Sequence, residues 1–369
     1  MFPRTAAMAP LVRKTLPRSE GTVEVAPPVS GPLATPIASV NSKVTRKIPT
    51  VVQLLLVVVI SFSTSYVLFQ SLGPLTDFEL AGVSKHANGV EDYALFPVLK
   101  VLELVVGWLV GFDGEIVPPR DGKEARLMQG TDYDMASLAL QTRLPYYFLL
   151  TTFYSISLRT CSLALVYEVL SAALPFTLLR NRIPQHSSTA PRAAVANYSI
   201  IQNLTLNALV TLFAATVYGV IMYISYNSWL LPYLITNFDG VRTFDVAHNS
   251  QLPVLVLTFF PLGWTAKILL FAPATGAQPS LGEIKQETFD PAVAGLVDHV
   301  KFNVWGWSKG TKVALKRTIV LAVTVFLATF VKTWKTLEGS ELMGSAGWAA
   351  LWALASLLNG ALLRWVGDV

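Results

Sequence analysis

Four charged residues fall inside long apolar segments of the sequence: Arg159, Glu168, Lys267 and Lys332. A charge at the centre of a membrane costs roughly 2.5–3.5 kcal/mol on insertion scales, so it needs a charged partner or a water-filled cavity. Lys332 lies two residues before the end of its apolar segment and can extend to the membrane surface. The other three residues are the candidates for polar chemistry inside a membrane.

Arg159 and Glu168 belong to one apolar stretch, residues 145–179. If this stretch is a straight helix bounded by Arg143 and Arg180, Arg159 lies about 4 Å from the helix centre and Glu168 about 10 Å from it. Their spacing of nine residues puts them on opposite faces, which prevents them from pairing with each other. Each therefore needs another partner. We predict an intramembrane polar site made of Arg159, Glu168, Lys267, Asn203, Asn207 and Asn359.

Two interpretations of this polar site are open. In the first, it is a cavity within a helix bundle that handles a charged substrate, an ion or a lipid headgroup. In the second, it is an interhelical polar clamp that fixes helix packing. The clamp is slightly favoured, because the sequence offers no second deep carboxylate with which Glu168 could form a proton relay.

The sequence contains no recognisable motif for catalysis or cofactor binding. Its four histidines are scattered, without the spacing that places two imidazoles on one metal ion. The single cysteine, Cys161, excludes an intramolecular disulfide and lies in an apolar run, which indicates a packing role. We therefore predict no catalytic residue, no metal and no cofactor. An intramembrane enzyme that uses Glu168 as acid or base would lack a second catalytic group.

The composition is that of a membrane protein. Of the 369 residues, 53% are hydrophobic and only 14% are charged, whereas a soluble domain carries roughly 25% charged residues. We predict an all-α polytopic integral membrane protein, with a single transmembrane domain over 49–369 and a disordered, basic, proline-rich tail over 1–48. The six predicted transmembrane helices cover residues 51–72, 145–179, 197–227, 253–275, 318–334 and 346–364.

Residues 95–112 form a further apolar segment whose position is ambiguous. As a helix its 18 residues measure about 27 Å, which is just enough to cross a membrane. Lys100, Glu103, Gly107 and Gly111 share one face of that helix, and both flanks are acidic. One additional crossing would also move the basic loop 180–196 to the opposite side. We therefore predict an interfacial or re-entrant amphipathic helix.

The charges of the loops alternate in sign, which predicts the orientation. Residues 1–50 carry seven basic and two acidic residues, residues 73–144 carry six and eleven, and residues 180–196 carry three and none. The positive-inside rule then puts both termini in the cytosol, or in the matrix if the membrane is the mitochondrial inner membrane. The endoplasmic reticulum or another endomembrane is the favoured location. The sequons at Asn197 and Asn203 would face the cytosol and stay unglycosylated.

Small residues repeat on one face of the sixth predicted helix, at Ala349, Ala353, Ser356 and Gly360. Such a face allows close helix approach, within one chain by default or in a homo-oligomer as the alternative. The lipid bilayer is the expected partner, and a small molecule, an ion or a lipid is the expected ligand class if the polar site is a cavity. The excess of basic residues lies in the loops beside the membrane, so no nucleic acid partner is expected.

The sequence thus predicts a non-catalytic multi-pass protein with an organisational or assembly role in an internal membrane. The alternative is a transporter or lipid-handling protein with a polar cavity around Arg159 and Glu168.

Overall fold

We describe the chain from a computed structural model. The structure describes residues 50–85, 90–109, 132–179, 198–271, 295–297 and 309–367. All regular structure in these ranges is helical, so the predicted all-α fold is confirmed. The predicted tail over 1–48, the sequon at Asn197 and Gly111 lie outside the described residues.

The longer helices are α1 (Thr50–Leu75), α2 (Val90–Leu109), α3 (Asp132–Phe153), α4 (Leu158–Leu179), α6 (Leu204–Ser228), α11 (Lys309–Thr336) and α12 (Leu342–Gly367). Between α4 and α6 lies α5 (Tyr198–Gln202), and after α6 come α7 (Leu230–Asn237), α8 (Asp245–Asn249), α9 (Leu252–Thr258) and α10 (Phe260–Ala266). A π-helical turn, Lys267–Phe271, continues α10.

Among the described residues, five helices are long and apolar enough to cross a membrane, namely α1, α4, α6, α11 and α12. The pair Leu252–Thr258 and Phe260–Phe271, bent by 55°, provides a sixth when it is counted as one span. Each of the six predicted segments therefore overlaps one such helix or helix pair. Insertion into a membrane and the number of crossings remain predictions.

The stretch 145–179 is two antiparallel helices, so the prediction of one transmembrane helix over these residues is wrong. The chain reverses between α3 and α4, where Ser155 adopts a left-handed backbone conformation with φ 55°. The Ser157 hydroxyl caps α4 by accepting a hydrogen bond from the Thr160 amide at 3.3 Å. The Phe153 carbonyl at the end of α3 accepts from the amide of Arg242 at 2.8 Å. These two hydrogen bonds stabilise the reversal, and the hydropathy of the segment does not predict either of them.

The ambiguous segment is α2, and its polar face points into the bundle. Lys100 contacts α1 and α4, Glu103 contacts Arg143 of α3, and a side chain at Gly107 would collide with Met135. A helix lying on the membrane surface would turn these positions towards water. Within the bundle the polar face of α2 therefore lies against other helices, and the interfacial or re-entrant position of residues 95–112 in a membrane remains a prediction.

One end of the bundle is closed by short backbone bridges, and we call it the bridged end. Ser84 pairs with Leu337, and Phe238 pairs with Ser340. Gly339 lies between these two bridges with φ 72°, and a side chain there would approach the Gly240 amide at 2.6 Å. The C-terminal ends of α3 and α11 and the N-terminal end of α12 therefore meet here. Helices α11 and α12 consequently run in opposite directions.

The direction of α2 follows from its two ends. It begins five residues after Lys85, whose amide donates to the Thr336 carbonyl at the bridged end at 2.8 Å. Near its other end, the Trp108 ring lies 6.3 Å from the ring of Phe176, close to the C-terminal end of α4. Thus α2 runs parallel to α4 and away from the bridged end, and α3 runs back towards it.

An aromatic core joins α3 to the C-terminal helices. Phe148 of α3 packs edge-on against Phe259 and Trp352, with ring centroids 4.9 and 5.9 Å apart respectively. Trp348 and Trp352 of α12 are both almost completely buried. Burial of large rings dominates the packing energy of such a core.

The small-residue face of the last helix packs within the chain. The most extensive helix–helix contact is that between α11 and α12. Ala349 and Ser356 are buried, Ala353 is half-buried, and a side chain at Gly360 would meet the Thr318 side chain of α11 at 2.2 Å. This agrees with the default expectation of intramolecular packing. Homo-oligomerisation through this face remains a prediction.

Candidate functional site: a buried ion network

Glu168 of α4 is the centre of a network of charges inside the bundle. One carboxylate oxygen lies 3.1 Å from Nε of Arg143, on α3. The other accepts a hydrogen bond from the Tyr147 hydroxyl at 2.8 Å and forms an ion pair with Lys332 of α11 at 2.5 Å. Glu168 therefore connects three helices through both of its oxygens.

A second carboxylate, Glu103 of α2, extends the network. It is 6% exposed, forms an ion pair with Arg143 and accepts from the Thr142 hydroxyl at 3.0 Å. Arg143 thus lies between the two glutamates, where its guanidinium can bind both. The expectation that no second deep carboxylate is available was wrong, because the segment containing Glu103 was assigned to the membrane surface.

Lys332 does not extend to a surface as the sequence indicated. Its ammonium lies 4.4 Å from the centre of the Tyr147 ring and 4.7 Å from that of Tyr146, in addition to its ion pair with Glu168. Cation–π contacts of this kind strengthen when the charge is removed from water. The pairing therefore accounts for a lysine that is only 13% exposed.

Lys100 of α2 is the third cation of the network, and its partners are neutral. Its ammonium donates to the hydroxyls of Ser65 and Ser171, the latter at 3.1 Å, and lies 3.5 Å from the Ser61 carbonyl. Among the described residues, no carboxylate lies within ion-pair distance of it. We use the term ion network for Lys100, Glu103, Arg143, Glu168 and Lys332.

A cavity of about 290 Å³ adjoins the ion network. All five members of the network line it, together with the hydroxyls of Ser65, Ser171 and Thr336. Its remaining walls are apolar and are formed by Phe69, Phe96, Leu99, Leu104, Ala172 and Ala328. The cavity thus combines a charged wall with a hydrophobic one, as ligand-binding sites commonly do.

The structure separates the two residues around which the polar cavity was predicted. Glu168 lines the cavity, whereas Arg159 is exposed in the first turn of α4. The predicted position of Arg159 near the helix centre depends on a single straight helix over residues 145–179. With the reversal at residues 154–157, it lies at the bridged end instead.

The other predicted members of the site lie outside the cavity lining. Lys267 donates to the Oδ1 atom of Asn207, so these two residues do pair with each other. Asn203 caps α6 by accepting from the amides of Thr205 and Leu206, at 3.1 and 3.3 Å. Asn359 is fully buried in α12 and donates to the Ala355 carbonyl at 3.3 Å.

Sequence reasoning missed Lys100, Glu103 and Arg143 as site residues. Arg143 was treated as the outer limit of a membrane helix, although it lies in the middle of α3. The available signal was the common face of Lys100 and Glu103 on a helix, which also fits a helix whose polar face is buried against other charges. The sequence could not identify those charges, because Arg143 lies 40 residues from its partner Glu103, and Lys332 lies 164 residues from its partner Glu168.

The geometry suits charge pairing and binding better than proton transfer. Both oxygens of Glu168 and both oxygens of Glu103 are engaged by donors. Neither glutamate therefore offers a substrate proton an oxygen that is not already engaged. Within the described part of the chain there is also no group of three His, Cys, Asp or Glu residues that could hold a metal ion.

Comparison with known protein families shows a match to the C-terminal domain of bouquet formation protein 3, over residues 203–366. The match covers somewhat less than half of the chain and runs from the cap of α6 through α12. It includes Lys332 and excludes the other four members of the ion network. No curated protein and no solved structure matches the chain. The C-terminal part of the chain is therefore similar to the C-terminal domain of bouquet formation protein 3.

Proposed function

We propose that this protein is a multi-pass membrane protein with an organisational role in bouquet formation. The observation that carries the proposal is the similarity of residues 203–366 to the C-terminal domain of bouquet formation protein 3. The ion network fits a scaffold of this kind. It joins α2, α3 and α4 to Lys332 of the matched region by buried charge pairs.

We further propose that α2 and α3 both cross the membrane, which gives eight crossings. Each has at least 20 residues, enough for a hydrocarbon core of about 30 Å. Two additional crossings leave every later loop on its original side. Residues 110–131, with three basic and four acidic residues, would then join the N-terminal tail and the basic loops 180–196 and 276–317. The charge asymmetry between the two sides is preserved, and both termini stay on the basic side.

The proposed location is the nuclear envelope and the connected endoplasmic reticulum. The similarity of residues 203–366 to the C-terminal domain of bouquet formation protein 3 supports it. It is also a narrower form of the endomembrane location predicted from the sequence, and it replaces the mitochondrial alternative in our proposal.

The proposal is tested in cells of the source organism that lack the protein. Clustering of chromosome ends is scored in meiotic cells, and a tagged copy of the full chain is localised in the same strain. We expect reduced clustering, rescue by the tagged chain, and a signal at the nuclear rim. Normal clustering without the protein would overturn the organisational role, and a mitochondrial signal would overturn the location.

A further inference from the structure

We propose that the cavity beside the ion network binds a phosphate-bearing anion, such as the headgroup of an anionic lipid, through Lys100. This inference goes beyond the organisational role and does not depend on it. It rests on the charge balance, the donors and the walls of the cavity.

The described cavity lining carries one excess positive charge. Lys100, Arg143 and Lys332 are cations, whereas Glu103 and Glu168 are the only carboxylates among the described lining residues. Both carboxylates are already bound, Glu103 by Arg143 and Glu168 by Arg143 and Lys332. Lys100 is left with hydroxyl and carbonyl oxygens. A buried charge without a counter-charge is costly, so an anion in the cavity would be stabilised.

The donors around Lys100 are arranged for an oxygen-rich ligand. Ser65 and Ser171 both contact its ammonium. The Ser171 hydroxyl donates to the Glu168 carbonyl at 2.8 Å, whereas the Ser65 hydroxyl can rotate to donate to a ligand oxygen. Thr336 of α11 also lines the cavity, and its hydroxyl donates to the Lys332 carbonyl at 2.6 Å. Phosphate oxygens accept several such bonds at once, and bonds from a charged donor are the stronger ones. Among the described residues, the lining therefore offers a phosphate group one cation that has no carboxylate partner, together with the Ser65 hydroxyl.

The apolar walls favour a lipid as the source of that phosphate. Phe69, Phe96 and Leu99 form part of the lining beside Lys100. Phe69 is 38% exposed, so this side of the cavity reaches the outer surface of the bundle. Beyond it, α1 and α2 expose further apolar side chains, including Tyr66, Val98 and Leu102. An acyl chain can lie along this surface, and the headgroup would have to enter the bundle as far as the middle of α2, where Lys100 lies, to face the charges.

The test measures lipid binding by the full chain, purified in detergent and delipidated. The probes are dioleoyl phosphatidic acid, dioleoyl phosphatidylcholine with the same chains, and inorganic phosphate. We expect phosphatidic acid to bind at least about tenfold more tightly than phosphatidylcholine, as a charge-assisted hydrogen bond predicts. Competition by millimolar inorganic phosphate would assign the site to a soluble phosphate, whereas its failure to compete would assign the site to the lipid. Equal binding of the two lipids would overturn the proposal.

Variants locate the binding. Lys100→Met removes the charge at similar volume and is expected to abolish the preference for phosphatidic acid, whereas Lys100→Arg retains it. Lys267→Met is the matched control, since Lys267 is a half-buried lysine that pairs with Asn207 outside the cavity. Lys100→Gln replaces Lys100→Met if the latter does not fold. A preference for phosphatidic acid that survives neutralisation of Lys100, or is lost in Lys267→Met, would contradict the assignment.

Discussion

At the scale of single residues, the position of a charge in the fold decides its role more than its position in an apolar run. Glu168 and Arg159 look alike in the sequence, since each interrupts the same hydrophobic stretch. In the fold Glu168 is bound by three side chains of α3 and α11, whereas Arg159 is exposed at the start of α4. The sequence therefore predicted that a buried charge exists but not which of the two residues it is.

Replacing Glu168 by leucine is expected to destabilise the fold, whereas replacing Arg159 by leucine is expected to leave its stability nearly unchanged. Glu168→Leu leaves Lys332 without its counter-ion, and breaking a buried pair on one side costs about 3–5 kcal/mol. Arg159→Leu changes an exposed residue and is expected to stay within about 0.5 kcal/mol of the wild type. Thermal unfolding of the purified protein in one detergent measures both. Equal unfolding temperatures for the two variants would show that the ion network does not stabilise the bundle.

Glu79 makes a pH-dependent contribution to the stability of the fold at the bridged end. It lies in a short 3-10 turn, Glu79–Val83, and its carboxylate accepts from the Ser157 hydroxyl at 2.7 Å. Hydrogen bonds from Thr160 and Ser157 hold the pKa of Glu79 below its usual value of 4.5. Because the folded pKa is the lower one, this stabilisation is present above pH 4.5 and is lost as the pH falls through the folded pKa.

Substitution of Glu79 by glutamine is therefore expected to flatten the loss of stability on acidification below pH 4.5. The unfolding temperature, measured from pH 6 to pH 3, is the readout. Glu338→Gln is the control, since Glu338 is an exposed glutamate at the same end. The same pH dependence in Glu79→Gln and in the wild type would refute the role of this carboxylate in holding the start of α4.

At the scale of helices, close backbone approach determines how the bent pair packs. A side chain at Gly263 of α10 would lie 2.5 Å from the Thr211 carbonyl oxygen and 2.6 Å from the Ala215 amide, both on α6. Neither backbone atom can move without displacing the whole helix. The apolar segment 253–275 was predictable from hydropathy, but its bend and its neighbour depend on contacts with α6 that no local pattern encodes.

Gly263→Ala is accordingly expected to destabilise the fold by about 1–3 kcal/mol, the usual cost of overpacking a core. Gly82→Ala is the matched control, because a side chain at Gly82 meets no atom within 4 Å. Both variants are compared with the wild type by thermal unfolding in detergent. A neutral Gly263→Ala, or a larger loss in Gly82→Ala, would contradict the described contact between α10 and α6.

At the scale of the whole molecule, sequence patterns predicted the fold class and the apolar segments but not the pairing of helices. Hydropathy identifies α1, α4, α6, α11 and α12, because each presents a long apolar surface. It does not identify α2 and α3, in which the charges of Glu103 and Arg143 pair with each other. An unpaired charge at Glu103 or at Arg143 would destabilise a buried helix. The ion pair between them allows both helices to be buried.

The eight-crossing arrangement makes a specific prediction about sidedness. With Cys161 replaced by serine, single cysteines are introduced at Gly122, at Ser188 and at Gln251. If α2 and α3 both cross, Gly122→Cys reacts with an impermeant maleimide from the same side as Ser188→Cys, and Gln251→Cys reacts from the opposite side. If residues 95–112 lie at the interface instead, Gly122→Cys and Gln251→Cys label together. Labelling of sealed and permeabilised membrane vesicles distinguishes the two arrangements. Residue 122 follows α2 in the chain, so whether α2 crosses the membrane decides the side on which residue 122 lies.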